Sequence, residues 1–263
     1  MTYLSAEGCR ARRARLFAAL ETQPDWILIC DPHHQMYLGN YFQTPFVFNC
    51  VNAGAVLILG REGQSILVTD NLVQGFAEQA HVDEVVAPVW YDGNKTAPNR
   101  KARLVESALE RLKKCPGRKL GYEASAAFAG LTEGLRAERG DIAWINVDST
   151  LHKLKRSKDA DEVALLKRAI KAGEAGHAAG LNDIRPGMTE LDAYLVVQQA
   201  AIRSVGDRVL VYGDFVSGPR CELERGGPPS QRVIEAGDLV LLDFSVVLGG
   251  YRGDFANTFA CGG

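Results

Sequence analysis

The stretch Leu239-Val-Leu-Leu-Asp243-Phe-Ser245-Val-Val-Leu248-Gly249-Gly250-Tyr251-Arg-Gly-Asp254-Phe-Ala256-Asn-Thr-Phe259 decides the fold of the C-terminal part of this chain. Two runs of strand-forming residues flank a Gly-Gly pair, which is a hairpin signal. With Gly249 and Gly250 as the turn, Leu248 faces Tyr251, Ser245 faces Asp254 and Asp243 faces Ala256. Side chains alternate along a strand, so Asp243 and Asp254 fall on the same face. They are diagonal neighbours, with Cβ atoms roughly 7 Å apart. Both carboxylates can then reach one divalent cation or a pair of them. Two bare carboxylates on an otherwise apolar face repel each other and lose solvation, and a cation removes that cost. The bland alternative is that each Asp is solvated or caps a turn. Asp243 directly follows the apolar run Leu239–Leu242, which counts against casual solvation. Spacing and context leave both readings open.

A chain of 263 residues suits two modest domains. Its composition is globular, with 46% hydrophobic and 24% charged residues, enough for a sizeable core. A net charge of −2 gives no electrostatic argument for nucleic acid or an anionic membrane. No apolar run approaches the roughly 18 residues of a spanning helix. The N-terminus lacks the charged start and apolar middle of a signal peptide, so a cytoplasmic protein is expected. The six cysteines, at 9, 30, 50, 115, 221 and 261, are scattered without a C-x-x-C pair and do not form a disulfide framework.

The pattern predicts an α/β domain over residues 1–148, with a helix at 10–20, strands near 26–30, 55–59, 65–69, 84–88, 119–122 and 143–147, and helices at 101–114 and 124–138. Residues 151–158 read as a polar linker. Residues 149–263 then form a second unit. Ser157 is placed to cap a long helix, with Val163, Leu166, Ile170 and Gly173 marking its packed face. Thr189 and Asp192 make a capping-box start to another helix, Glu190 to about Ser204. Strands follow at 209–212, 214–217, 239–247 and 251–259.

The segment Arg232-Val-Ile-Glu-Ala-Gly-Asp-Leu-Val-Leu-Leu-Asp243-Phe, with Gly250-Tyr-Arg-Gly-Asp254 and Thr258-Phe, resembles the pita-bread metallohydrolases: aminopeptidase P, prolidase, methionine aminopeptidase and creatinase. Arg185-Pro-Gly-Met-Thr-Glu190 resembles the family's helix-to-helix connection, and Leu154-Lys-Arg-Ser-Lys-Asp-Ala-Asp-Glu162 its entry into a long helix. Trp26-Ile-Leu-Ile-Cys-Asp31 and Tyr37-Leu-Gly-Asn-Tyr41 resemble the creatinase-type N-terminal domain. The resemblance implies a partial pita-bread domain behind that N-terminal domain. It implies Asp243 and Asp254 as the first two of five ligands to two divalent ions of manganese, cobalt or zinc. The implied activity is hydrolysis of a C–N bond in a small peptide by metal-activated water, of the Xaa-Pro aminopeptidase or dipeptidase type, in a protein that is a homodimer at full length. A creatinase-type amide or amidine hydrolase and a non-catalytic binding protein are the alternatives.

Two departures bear on that expectation. The remaining ligands of the resembled enzymes, a His and two Glu, lie on later strands, and no His or Glu follows Asp254 within these 263 residues. Two carboxylates alone make a weak, open site. Such a cut sheet also predicts self-association, with Leu241, Phe244, Val246 and Phe259 short of packing partners. The resembled peptidases also carry a substrate-binding His between the Ser-Gly strand and the Arg-Val-Ile-Glu segment. Here residues 217–232 contain none; Gly226 or Gly227 takes the aligned place, with Glu222, Glu224 and Arg225 nearby. Of the other polar groups, His33-His34 is expected to point apart on extended backbone. His177 is expected to pack on a helix face, and His81 and His152 to lie at the surface. Arg10, Arg12, Arg13 and Arg15 are expected to form one solvated helix face.

Overall fold

Strand β1 (Trp26–Ile29) sends Ile27 and Ile29 to one side and Leu28 to the other, and all three are fully buried. Strands that are apolar on both faces belong in the middle of a sheet covered on both sides. The computed structural model, which describes residues 3–42, 54–96, 98–223 and 226–262, has that arrangement. The chain divides into two units, Met1–Asp161 and Glu162–Gly263.

In the first unit, helix α1 (Ala6–Ala18) precedes β1, and α2 (Pro32–Gly39) follows it. Then come β2 (Val56–Gly60), β3 (Ser65–Val68), α3 (Gln74–Ala77), β4 (Glu84–Val86), α4 (Arg100–Leu112), β5 (Lys119–Tyr122), α5 (Ala129–Glu138), β6 (Ala143–Asn146) and α6 (Asp148–Leu154). The six strands form one mixed sheet in the order β4-β3-β2-β1-β5-β6. Leu16, Ile27, Ile29, Tyr37, Leu57 and Leu151 pack on one face, and Leu28, Ile58, Leu104, Leu120 and Leu131 on the other. The unit is therefore α/β with helices on both sheet faces.

Three expectations change here. Of the expected linker 151–158, residues 151–154 are helical, the end of a helix Asp148–Leu154, because Leu151 is buried in the first unit's core. His33 and His34 sit in α2, not on extended backbone. Asp31 caps that helix by accepting from the His33 and His34 N–H groups, with Pro32 in its first turn. The arginine stripe of α1 is not one solvated face: Arg12 is fully buried and Arg13 nearly so. Arg12 Nε donates to the Tyr37 carbonyl at 2.7 Å, and Arg13 Nη1 to the Leu38 carbonyl at 3.2 Å. These are last-turn carbonyls of α2 that its own helix leaves unpaired, so cations bind there.

The second unit holds α7 (Ala160–Asp183), α8 (Glu190–Val205), β7 (Leu210–Ser217), α9 (Pro219–Leu223), β8 (Leu239–Leu248) and β9 (Tyr251–Ala260). Its strands run β7-β8-β9, all antiparallel. Helix α7 packs through Leu165, Ala169, Ala172, Gly173, Gly176 and Gly180, while Val163 and Ile170 are exposed. Of the expected face, Gly173 is buried and Leu166 half-buried, but Val163 and Ile170 are not part of the packed face. Small residues win because α7 lies close against the sheet: a methyl at Gly173 would overlap the Phe255 ring, and one at Gly180 would sit 2.7 Å from Leu242 Cδ1. Phe244 and Val246 lie on this helix-covered face and are buried, contrary to the expected lack of partners. Leu241, on the other face, and Phe259 are half-buried.

The capping box at Thr189 and Asp192 forms as expected. The next residue, Glu190, is buried and is the polar hub of the unit. Its carboxylate accepts from Ser217 N (2.8 Å), Ser217 Oγ (2.9 Å), Ser230 N (3.1 Å), Ser230 Oγ (2.6 Å) and the Arg220 guanidinium. Burial pulls its pKa up, but these donors hold it below the ordinary value. Glu190→Ala strands this set of donors and is expected to cost about 3–5 kcal/mol in urea denaturation. A loss under about 1 kcal/mol would mean that water replaces the carboxylate freely.

Candidate metal centre

The β8–β9 ladder has the expected register: Leu248 opposite Tyr251, Ser245 opposite Asp254, Asp243 opposite Ala256. Gly249 and Gly250 have φ of 57° and 80°, the two positive values a tight type I′ turn requires. Asp243 and Asp254 therefore share one face, the face opposite the buried side chains of Leu242, Phe244 and Val246. Both are placed as expected from sequence.

The same face carries a third carboxylate that sequence reasoning missed. Residues 209–217 read as two strands broken at Gly213, but β7 is continuous and sets Asp214 directly opposite Asp243. Only the β7–β8 register reveals it. Gly213 passes so close to β8 that a methyl there would overlap the Asp243 carbonyl.

Electrostatics separate the carboxylates. Burial first, then repulsion from Asp214 and Asp254, raises the Asp243 pKa, with Arg252 working the other way. Asp254 is more exposed. Its Oδ1 accepts from Ser245 Oγ at 2.8 Å and from Arg252 Nη2 at 3.0 Å, and these bonds, Ser245 first, lower its pKa. Arg252 Nε also donates to Ser245 Oγ at 2.6 Å, and its Cζ lies 5.6 Å from the Tyr212 ring centroid. A guanidinium thus supplies part of the positive charge that this acidic face requires.

The donor set is all hard oxygen, at least two carboxylates on one open face with a raised pKa at the more buried of them. That chemistry fits a divalent cation. Asp243 and Asp254 would hold it, with Ser245 orienting Asp254.

The loop before β8 reaches this site too. A methyl at Gly226 would overlap the Asp214 carboxylate, and Phe215 N donates to the Gly227 carbonyl at 3.0 Å. The position where the resembled peptidases carry a His is therefore beside the acidic face, and here it offers only backbone. Glu222 lies on α9, while Glu224 and Arg225 lie outside the described residues. Arg232 is structural: its Nη1 donates to Ser217 Oγ and Asp238 Oδ2, both at 2.6 Å. His177 packs on Phe244, with ring centroids 4.7 Å apart, and burial lowers its pKa.

Comparison with known proteins gives the family of the two units. The profile for the Creatinase/Prolidase N-terminal domain matches residues 12–156, and that for Metallopeptidase family M24 matches residues 164–263. The uncharacterized peptidase YqhT of Bacillus subtilis is 27% identical over 164 residues, which cover 60% of this chain and 45% of that protein. The X-Pro aminopeptidase of Thermotoga maritima superposes with a TM-score of 0.74 at 20% identity, over 95% of this chain and 64% of that one. The Xaa-Pro dipeptidase of Bacillus anthracis gives 0.73 at 23%, over 98% and 66%. The chain thus matches less than half the length of the curated relative and about two thirds of the solved ones. It belongs to the pita-bread metallopeptidase superfamily, with a creatinase/prolidase-type N-terminal domain ahead of the M24 segment that carries Asp243 and Asp254.

Proposed function

We propose that this chain is part of a metal-dependent peptidase of the Xaa-Pro aminopeptidase or dipeptidase type, acting on small peptides, and that Asp243 and Asp254 are its first two metal ligands. The observation that carries this is their shared strand face within the segment matched by the M24 profile. When bound, divalent ions supply a Lewis acid for the scissile carbonyl and lower the pKa of a water. The chain's own residues set up that chemistry. Asp243 supplies a half-buried carboxylate whose charge is only partly offset by Arg252 until a cation arrives. Ser245 fixes the orientation of Asp254. Arg252 neutralises Asp254 in the absence of a cation.

A polypeptide of these 263 residues is expected to show little or no Xaa-Pro hydrolysis with added manganese or cobalt, because no His or Glu follows Asp254 within it. Robust turnover abolished by Asp243→Ala would overturn that. An in-frame His and two Glu in coding DNA beyond Gly263, with turnover by the longer product, supports the peptidase reading; a longer product carrying those ligands yet inert on Xaa-Pro peptides contradicts it. The second reading is a non-catalytic binding protein. Gly226 against Asp214, where the resembled peptidases hold an imidazole, favours it.

A further inference from the structure

The first unit contains a paired imidazole site that the acidic face does not use. His34, on α2, is 8% exposed at its side chain, and its Nδ1 bonds the fully buried Glu123 at the end of β5. Glu123 also accepts the backbone N–H groups of Cys30 and Asp31. A carboxylate that already accepts two N–H groups accepts from the imidazole as well, so Nδ1 carries the proton. Nε2 is then left with a lone pair, and among the described residues it has no hydrogen-bond partner. This is the carboxylate–histidine arrangement that orients a metal-binding imidazole and raises its basicity.

A second imidazole is in place beside it. The His152 ring centroid is 6.0 Å from that of His34, with the planes tilted by 56°. A ring nitrogen about 2.0–2.1 Å from zinc puts two imidazoles sharing one ion at centroid separations of roughly 5–6 Å. His152 is exposed on α6, so its ring can rotate toward an ion held at His34 Nε2. One turn back on the same helix, Asp148 has a buried Oδ1 with no hydrogen-bond partner. An unpartnered carboxylate oxygen one turn from His152 adds negative potential that favours a cation.

We propose that His34 and His152 bind one divalent transition-metal ion of the zinc, nickel or copper class, with Glu123 as the group that positions His34. Imidazole nitrogen selects this class over magnesium, calcium or manganese. The site uses none of the residues of the acidic strand face and does not depend on the peptidase reading.

The test uses the whole chain carrying Asp243→Asn and Asp254→Asn, so that the acidic face does not contribute. Zinc or nickel is titrated in calorimetry, and copper is examined by electron paramagnetic resonance. The expected result is one ion per chain, with nitrogen hyperfine coupling from two imidazoles. His152→Ala, an exposed change that leaves the core intact, should weaken binding at least about tenfold and reduce the coupling to one nitrogen. His33→Ala, on the neighbouring exposed imidazole, should leave both unchanged. Binding that survives His152→Ala undiminished, or that is lost equally in His33→Ala, overturns the proposal, as does failure of zinc and nickel to bind the parent chain.

Discussion

Asp243→Asn is expected to abolish divalent-metal binding at the acidic face and, at the same time, to stabilise the metal-free protein. Asp243 is half-buried, opposite Asp214 and diagonal to Asp254, and its pKa is raised by burial and by those two charges. A native state that holds a proton more readily than the unfolded chain gains stability as pH falls from that raised value toward about 3.9, and loses it as pH rises. At neutral pH the ionised carboxylate therefore opposes folding, and a cation cancels the opposition. Asparagine keeps the shape and removes the charge. The metal-free Tm should rise by about 1–3 °C, the scale of up to about 1 kcal/mol in a protein of this size. The loss in manganese affinity should exceed the roughly 10–100-fold that follows removal of an outer-shell partner. An unchanged manganese isotherm would remove Asp243 from the ligand set, and an unchanged or lowered metal-free Tm would contradict the electrostatic account. Such opposition between function and stability is common where a site is built for a charged ligand.

Arg12→Ala should cost about 3–5 kcal/mol of stability. The guanidinium is fully buried, lies 5.1 Å above the Tyr37 ring and donates to the Tyr37 carbonyl. Its Nη1 reaches Asp161 Oδ1 at 2.8 Å and Asp159 Oδ2 at 3.1 Å. Truncation leaves the helix-end carbonyl without its donor and removes one cation from two carboxylates, Asp159 keeping its pair with Arg15. Arg12→Lys should recover only part of the loss, because one ammonium cannot reproduce the forked geometry. The pair also sets an acid limit. Burial alone would raise the Asp161 pKa, but bonds from Arg12 and Ser5 bring it down to about 2. Its stabilisation, of order 2 kcal/mol, is complete above about pH 4 and is lost as pH falls through about 2. Acid titration of the wild type against Arg12→Ala, followed by circular dichroism, should show the two stabilities converging in that window. Parallel curves would exclude this pair as the source.

The hairpin was legible because its register depends only on local chemistry: a Gly-Gly turn and an alternating pattern place Asp243 and Asp254 without knowledge of the rest of the chain. Asp214 was not legible, since its place opposite Asp243 follows from how β7 meets β8 across a long connection. The same contrast holds for the helices. Strands β1, β2, β3 and β5 follow from apolar runs, and the α8 capping box from residues three apart. For α1, a basic stripe has the same pattern whether it faces water or the carbonyl end of another helix, and here it meets α2. For α7, the sequence reading placed Gly173 on the packed face but added Val163 and Ile170, while close approach to the sheet selected Ala169, Gly176 and Gly180 beside Gly173. Helix α2 did carry a local signal, Asp31 followed by Pro32, which the paired histidines obscured.

If Asp243 and Asp254 are ligands to one metal centre, a bound ion must sit on the strand face they share. Anomalous diffraction at the manganese edge, from crystals grown with manganese, tests it most directly. An anomalous peak is expected on the open face of the β7-β8-β9 sheet, within coordination distance of carboxylate oxygens of both Asp243 and Asp254, with the Arg252 side chain turned away from Asp254. Manganese bound elsewhere with this face empty, or the two carboxylates on opposite sides of the hairpin, would contradict it.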